Sequence, residues 1–220
     1  MNMRMFLATA VLIATCIVPT IARTENFDAQ IEAVQQAYRD AQGLKADFTQ
    51  KTFVKLIEKE VLKKGVLYYK RGGKFKIEYA GKDEKNYVCD GAMLWVFVTG
   101  DEASIMTYKV NDETVPREAL SFLSGFDNLR RDFKIAPSKT FTELKEGESA
   151  MLLTPKSRKA QFAALDAKFN ANHLLEDLTI HNNSGNISEY HFTKITTAAP
   201  LKDALFTYGS GKATPATAPQ

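Results

Sequence analysis

The residues able to do chemistry are few, and their spacing does not assemble them. The three histidines, His173, His181 and His191, all fall late in the chain on stretches that alternate like strands. No two of them have the helical spacing that builds a zinc site. Of the two cysteines, Cys16 sits in an apolar N-terminal run and Cys89 in Tyr87-Val88-Cys89-Asp90. A thiol in such a strand packs as a small hydrophobe. The sequence holds no Gly-x-Ser-x-Gly elbow, no phosphate-binding loop and no dinucleotide fingerprint. No catalytic residue, metal ligand or cofactor is therefore assigned. A hydrolase of lipids or envelope polymers stays open only through the histidines. The net charge of +3 is too small to call for nucleic acid. Pairs such as Lys63-Lys64 and Lys70-Arg71 read as the wet side of a sheet.

What the chain has in excess is aromatic and aliphatic side chains on alternating stretches. Phe48, Phe53, Leu67, Tyr69, Phe75, Ile77, Tyr79, Trp95 and Phe97 come from the first half. Leu120, Phe122, Leu123 and Phe126 come from a later apolar stretch. These residues form either a closed core or a concave apolar pocket in a curved sheet, closed by helices. Periodicity does not separate the two.

The elements that would position them are legible. From Leu44 to Val98 apolar and polar residues alternate, and Gly72-Gly73, Ala80-Gly81 and Asp90-Gly91 mark turns. This predicts an antiparallel meander with one apolar face. Before it, Phe27, Ile31, Val34, Tyr38 and Ala41 predict an amphipathic helix from Asn26 to Ala41. Asn26 would cap it, and Gly43 would end it in the left-handed conformation. Glu58-Lys59-Glu60 is a turn between two strands. Val115 to Phe126 changes to helical spacing and predicts a short apolar helix, either a lid or a packing helix. Phe133 to Ile135, then Phe141 to Leu144 paired with Ser149 to Thr154, then Gln161 to Asn170, His173 to His181 and Ile187 to Ile195, predict further strands. The count is nine to eleven. The fold class is mainly β with α: a curved antiparallel sheet, or incomplete barrel.

At the N-terminus, Arg4, the apolar run Met5 to Val18 and Thr20-Ile21-Ala22 predict a signal peptide over residues 1–22. The run is shorter than the roughly 20 residues that span a bilayer. A second reading of Cys16 is a lipoprotein acylation site. If it leaves with the signal, Cys89 has no intramolecular partner. Residues 23–208 then form one domain, and 209–220, rich in Gly, Ala, Thr and Pro, a disordered tail.

Several stretches, in this order, resemble the periplasmic outer-membrane lipoprotein carriers (LolA-type). They are a helix followed by Phe48-Thr49-Gln50, Gly65-x-Leu67 leading to Lys70-Arg71, then Phe75 and the Asp90-Gly91-x-x-Leu94-Trp95 hairpin. Pro116 with a Leu/Phe-rich helix ending near Gly125, and Leu153-Thr154-Pro155-Lys156, complete the set. The similarity covers roughly residues 26 to 208. It implies an unclosed β-barrel whose open side is covered by helices, with an apolar cavity for the acyl chains of triacylated lipoproteins. It also implies two partners, an inner-membrane ATP-driven release complex and an outer-membrane acceptor lipoprotein, and a periplasmic monomer without cofactor. Arg71 stands where the family places the arginine that holds the lid shut, and Phe75 near the donor contact. Gly72-Gly73 follows Arg71 where the family has proline. Two other readings use the same sheet: a periplasmic sensor or regulatory domain, and a lipid-anchored acceptor that needs acylation at Cys16.

Overall fold

The structure, a computed structural model, describes residues 21–110, 126, 128–197 and 200–209, with side chains from Phe27 onward. Eleven strands form one sheet: β1 Leu44–Val54, β2 Lys59–Lys70, β3 Lys74–Tyr79, β4 Lys85–Asp90, β5 Met93–Val98, β6 Asp101–Lys109, β7 Phe133–Pro137, β8 Ser149–Pro155, β9 Phe162–Phe169, β10 Leu175–Asn182 and β11 Ile187–Thr196. Their order is β6-β5-β4-β3-β2-β1-β11-β10-β9-β8-β7, and β6 and β7 are free edges, so the sheet does not close into a barrel. Every pairing is antiparallel. Within the sheet two meanders, β1–β6 and β7–β11, meet where β1 pairs with β11, with Phe48 opposite Phe192 and Gln50 opposite Tyr190.

Helix α1 (Ile21–Asp40) lies on the inner face. Ile31, Val34 and Tyr38 recur at helical spacing and pack with Leu44, Ala46, Phe48 and Tyr69 of the sheet. The strands place these partners by alternation: Leu44, Ala46 and Phe48 are buried while Lys45 is exposed and Asp47 half-buried. Gly65, opposite Phe48 on β2, has no side chain for a steric reason. A Cβ there would stand 2.3 Å from the Glu78 carbonyl and 2.6 Å from the Phe48 ring. The ring therefore lies over the glycine, where any larger residue would displace it.

Several expectations shift. Helix α1 begins at Ile21, upstream of the anticipated Asn26 cap. Gly43 is not left-handed. Its smallness instead admits Leu201, whose Cγ would lie 2.9 Å from a Cβ at that position. The first hairpin turns at residues 55–58 rather than at Glu58-Lys59-Glu60. Phe141 to Leu144 is not a strand. After Pro137, the Ser138 hydroxyl accepts from the amides of Thr140 (3.1 Å) and Phe141 (2.8 Å) and turns the chain away. Strand β8 pairs instead with β7 and β9, and β7 brings the fully buried Phe133. The helix expected over Val115 to Phe126 lies outside the described residues, except for Phe126. A short helix α2, Leu129–Asp132, precedes β7.

Residues 200–209 cross the outer face of β3 and β4. Phe206 is fully buried, and Tyr208 meets Phe97 edge-on at 4.9 Å between ring centroids. Asp203 holds the segment through Lys70 (2.6 Å) and Lys74 (2.9 Å). Hydrogen bonds from those two ammonium groups, and their charge, pull the Asp203 carboxyl down to about 2. Its folded value lies below its unfolded one, so the stabilisation is complete above about pH 4 and is lost as pH falls towards 2. The melting temperature of the wild type should exceed that of Asp203→Asn at pH 5, and the two should converge near pH 2. A gap that does not change with pH would remove the ion pair as its source.

Candidate functional site: an apolar cleft on the inner face

The inner face is hollow where the two meanders meet. A cleft of about 300 Å³ is bounded by Phe48 and Leu67 on β1–β2, Ile77 and Tyr79 on β3, and Phe162 and Leu165 on β9. Leu178 and Ile180 of β10 and Tyr190 and Phe192 of β11 complete its wall. Its volume lies at the small end of the roughly 300–1,000 Å³ range of ligand clefts. A second hollow, of about 40 Å³, lies beneath Tyr38 of α1 and Phe126, and Leu67, Leu175 and Phe192 are common to both. These three side chains form the partition between the spaces.

Aromatic rings set the shape of the wall. Phe48 meets Tyr79 edge-on at 5.3 Å and lies 6.1 Å from Phe192, which stacks on Tyr190 at 6.2 Å. Such offset and edge-on pairs are favoured by the ring quadrupoles. Phe126 closes the smaller hollow, fully buried and edge-on to both Tyr38 (4.7 Å) and Phe169 (5.4 Å). The Gln35 side-chain amide donates to the Phe126 carbonyl at 2.9 Å, which ties this residue to α1.

The polar groups at the cleft satisfy one another. The Tyr79 hydroxyl donates to Gln50 Oε1 (2.8 Å), Gln50 Nε2 donates to Thr52 Oγ1 (2.9 Å), and Thr52 meets Ser188 at 3.0 Å. Burial pushes the Tyr79 and Tyr190 hydroxyls above the ordinary tyrosine range, so both stay neutral at physiological pH. The Lys63–Glu84 ion pair sits beside them, with the ammonium 5.7 Å from the Tyr79 ring centroid. Among the described residues, no lining residue of the cleft is ionisable apart from the two tyrosines, and the remaining polar ones are Gln161 and Asn182. Such a surface suits an uncharged, apolar guest.

Not all the residues singled out in the sequence meet here. Phe48, Leu67, Ile77 and Tyr79 line the cleft, and Tyr69 and Phe126 line the small hollow. Phe75 is buried between Tyr69 and Cys89 in the register and lines neither. Phe97 points to the outer face, against Tyr208. Trp95 takes the same side as Val88, which also borders the outer hollow near Phe97. The strand period of two sends Trp95 and Phe97 away from the cleft. Leu120, Phe122 and Leu123 lie outside the described residues. The Arg71 side chain is exposed, and its Nη1 donates to the Arg39 carbonyl in the last turn of α1 at 3.4 Å.

Most of the wall, on β9 to β11 and the residue before β9, is absent from the sequence-derived candidates. Its signal was the alternation of Leu178 with Ile180 and of Tyr190 with Phe192. The histidines are dispersed. His173 occupies the turn before β10, His181 lies near the end of β10, and His191, exposed on β11, has its Nδ1 2.7 Å from Asp177 of β10. Among the described residues no three His, Cys, Asp or Glu side chains are grouped to hold a metal. Cys89 is buried, and burial raises its thiol pKa.

Fold and cleft together define an open antiparallel half-barrel with an apolar, uncharged hollow under a helix. Residues 39–209 match the family described as outer membrane lipoprotein carrier protein LolA, and the chain belongs to that family. It is 23% identical over 178 residues to an outer-membrane lipoprotein carrier protein of Nitrosospira multiformis, covering 81% of this chain and 83% of that one. A protein of the same description from Dechloromonas aromatica is 22% identical over 208 residues, covering 94% and 95%. Among solved structures, a LolA superfamily protein from Nitrosomonas europaea covers 82% of this chain and 97% of its own, at 12% identity and a TM-score of 0.45.

Proposed function

We propose that this protein is a non-enzymatic carrier that shelters the acyl chains of triacylated lipoproteins in the inner-face cleft while they cross the periplasm. The observation that carries the reading is the uncharged aromatic and aliphatic wall at the junction of the two meanders. Each exposed methylene costs about 0.8 kcal/mol, so one long acyl chain in water costs on the order of 10 kcal/mol. A lipoprotein crosses an aqueous compartment only if that surface is covered.

The cleft is small for such a guest, and the second hollow lies behind a three-residue partition. Cargo would merge the two spaces by lifting α1 and Phe126. The contacts of α1 with the sheet in the empty protein then compete with the guest, which limits affinity and permits release. In this scheme residues 1–22 are a signal peptide. An inner-membrane ATP-driven complex donates the cargo and an outer-membrane lipoprotein accepts it.

Arg71 is the proposed latch, because its guanidinium reaches the C-terminal carbonyl end of α1. An Arg71→Leu protein should load lipoprotein from donor membranes but transfer it to the acceptor several-fold more slowly. Transfer at the wild-type rate would remove Arg71 from the latch.

The direct test is native mass spectrometry of the protein purified from its own periplasm. A one-to-one complex with an acylated lipoprotein supports the carrier reading. A protein that arrives empty and takes nothing up from donor membranes overturns it.

A further inference from the structure

The tip of the first hairpin carries apolar side chains that nothing among the described residues covers. Leu56 is 92% exposed, Leu62 76% and Ile57 55%, and Phe53 and Val61 are partly exposed beside them. Leu56 and Ile57 occupy the turn itself, which is completed by Glu58 in the left-handed region at φ 50°. Burial of the turn within the fold is therefore not what selects these two residues. Elsewhere the sheet's turns use small or polar residues, such as Gly72-Gly73 and Asn183-Ser184-Gly185.

Lysines surround this apolar tip. Lys51, Lys55, Lys59, Lys63 and Lys64 lie within it or just behind it, against Glu58 and Glu60. Lys51 pairs with Glu60 and Glu189, and Lys63 with Glu84. Lys55, Lys59 and Lys64 make no ion pair among the described residues. An excess of positive charge therefore rings two projecting aliphatic side chains.

We infer that this hairpin tip docks on an anionic phospholipid surface, with Leu56 and Ile57 entering the acyl boundary and the lysines engaging headgroup phosphates. The charge favours a membrane over a protein partner. Protein hot spots are built from Trp, Tyr and Arg set in pockets. The residues from Lys51 to Lys64 include none of these three and project as a loop rather than form a groove. Lysines behind an aliphatic wedge are instead the composition that anionic lipid interfaces attract.

The tip also stands at a useful place. Val54 lies about 20 Å beyond Phe48 along β1, at roughly 3.3 Å per residue. The Lys55 amide donates to Asn186 Oδ1 at 3.0 Å, in the turn that follows Asn182. Gln161 and Asn182, the polar part of the cleft lining, border this same end, while α1 and Phe126 close the other. A docked tip would bring the Gln161 and Asn182 end of the cleft towards the bilayer. This purpose, though not the docking itself, rests on the carrier reading.

The test is flotation of the full protein with vesicles of phosphatidylcholine, or of equal parts phosphatidylcholine and phosphatidylglycerol. The wild type should float with the anionic vesicles at low salt and dissociate as salt rises. The doubly substituted Leu56→Ser/Ile57→Ser protein should bind at least about tenfold more weakly. Lys55→Glu/Lys59→Glu should lose the preference for anionic lipid. All four positions are on the exposed turn or its first residues, so these changes leave the core untouched. A wild type that stays with neither vesicle, or variants that float like it, overturns the inference. So does a photo-crosslinker at position 56 that reacts only with an integral membrane protein while vesicles are ignored. Loading of detergent-solubilised lipoprotein, measured in parallel, separates the two ideas. Normal loading with no flotation retires the docking alone, and flotation without loading retires the carrier reading alone.

Discussion

An Ile180→Asp protein is expected to fold and to lose lipoprotein loading by at least about a hundredfold. Ile180 sits on β10 opposite Leu165 and Ser188, lines the cleft and is half-buried. Water therefore reaches the new carboxylate in the empty protein, and the fold bears it. Cargo would expel that water. Desolvating an ion beside acyl chains without a partner costs several kcal/mol, and about 2.7 kcal/mol already corresponds to a hundredfold. Ile180→Leu keeps the wall apolar and should load normally. The measurement is uptake of radiolabelled lipoprotein from donor membranes, alongside circular dichroism to verify the fold. Unimpaired uptake by a folded Ile180→Asp protein would move the cargo site away from this cleft.

The second large effect concerns Phe126, whose ring occupies the space between α1 and β9. Removing a fully buried phenyl group costs about 3–5 kcal/mol. For a domain of this size that lowers the melting temperature by roughly 6–20 °C. Phe126→Ala should show that loss, and amide exchange should quicken along α1, because Tyr38 loses the nearer of its two edge-on partners among the described residues. The backbone adds a sharper test. Phe126 has φ 65°, a conformation that costs a side-chain-bearing residue roughly 1–2 kcal/mol and glycine little. Phe126→Gly should thus be at least as stable as Phe126→Ala, the reverse of the usual order inside regular structure. A glycine variant clearly less stable than the alanine one would mean that this backbone conformation is not kept.

These effects fall on the two sides of one balance. On the proposed carrier reading, the wall must be apolar enough to hold acyl chains, and α1 with Phe126 must pack well enough to displace them. Improving either side alone is expected to damage the cycle: a tighter lid slows loading, and a looser one retains cargo.

Much of this was present in the chain as a string. Alternation specified the inner face of β1 to β3, because side chains on a strand must point to opposite sides in turn, whereas β5, apolar at every position, left Trp95 and Phe97 undecided. The stripe Ile31, Val34 and Tyr38 placed α1 on that face, since only burial there covers it. The order of the motifs around Phe48, Gly65 and Arg71 marked the family. Less regular stretches misled. Phe141 to Leu144 has the residues of a strand, yet Ser138 captures the amides that a ladder would need.

What the sequence by itself determined was therefore the inward face of its regularly alternating strands and that the sheet is antiparallel and open. Only the tertiary structure decided which buried residues surround a hollow. Phe48, Trp95 and Phe97 look alike in one dimension, since each is an aromatic in a strand-like run. The β1–β11 pairing places Phe48 beside Phe192 and Tyr190 at the cleft, whereas residues 200–209 cover Phe97 from outside. Both covering contacts arise between segments more than a hundred residues apart. Local periodicity carries the direction of a side chain but not what meets it there, and that is where a core becomes a cleft.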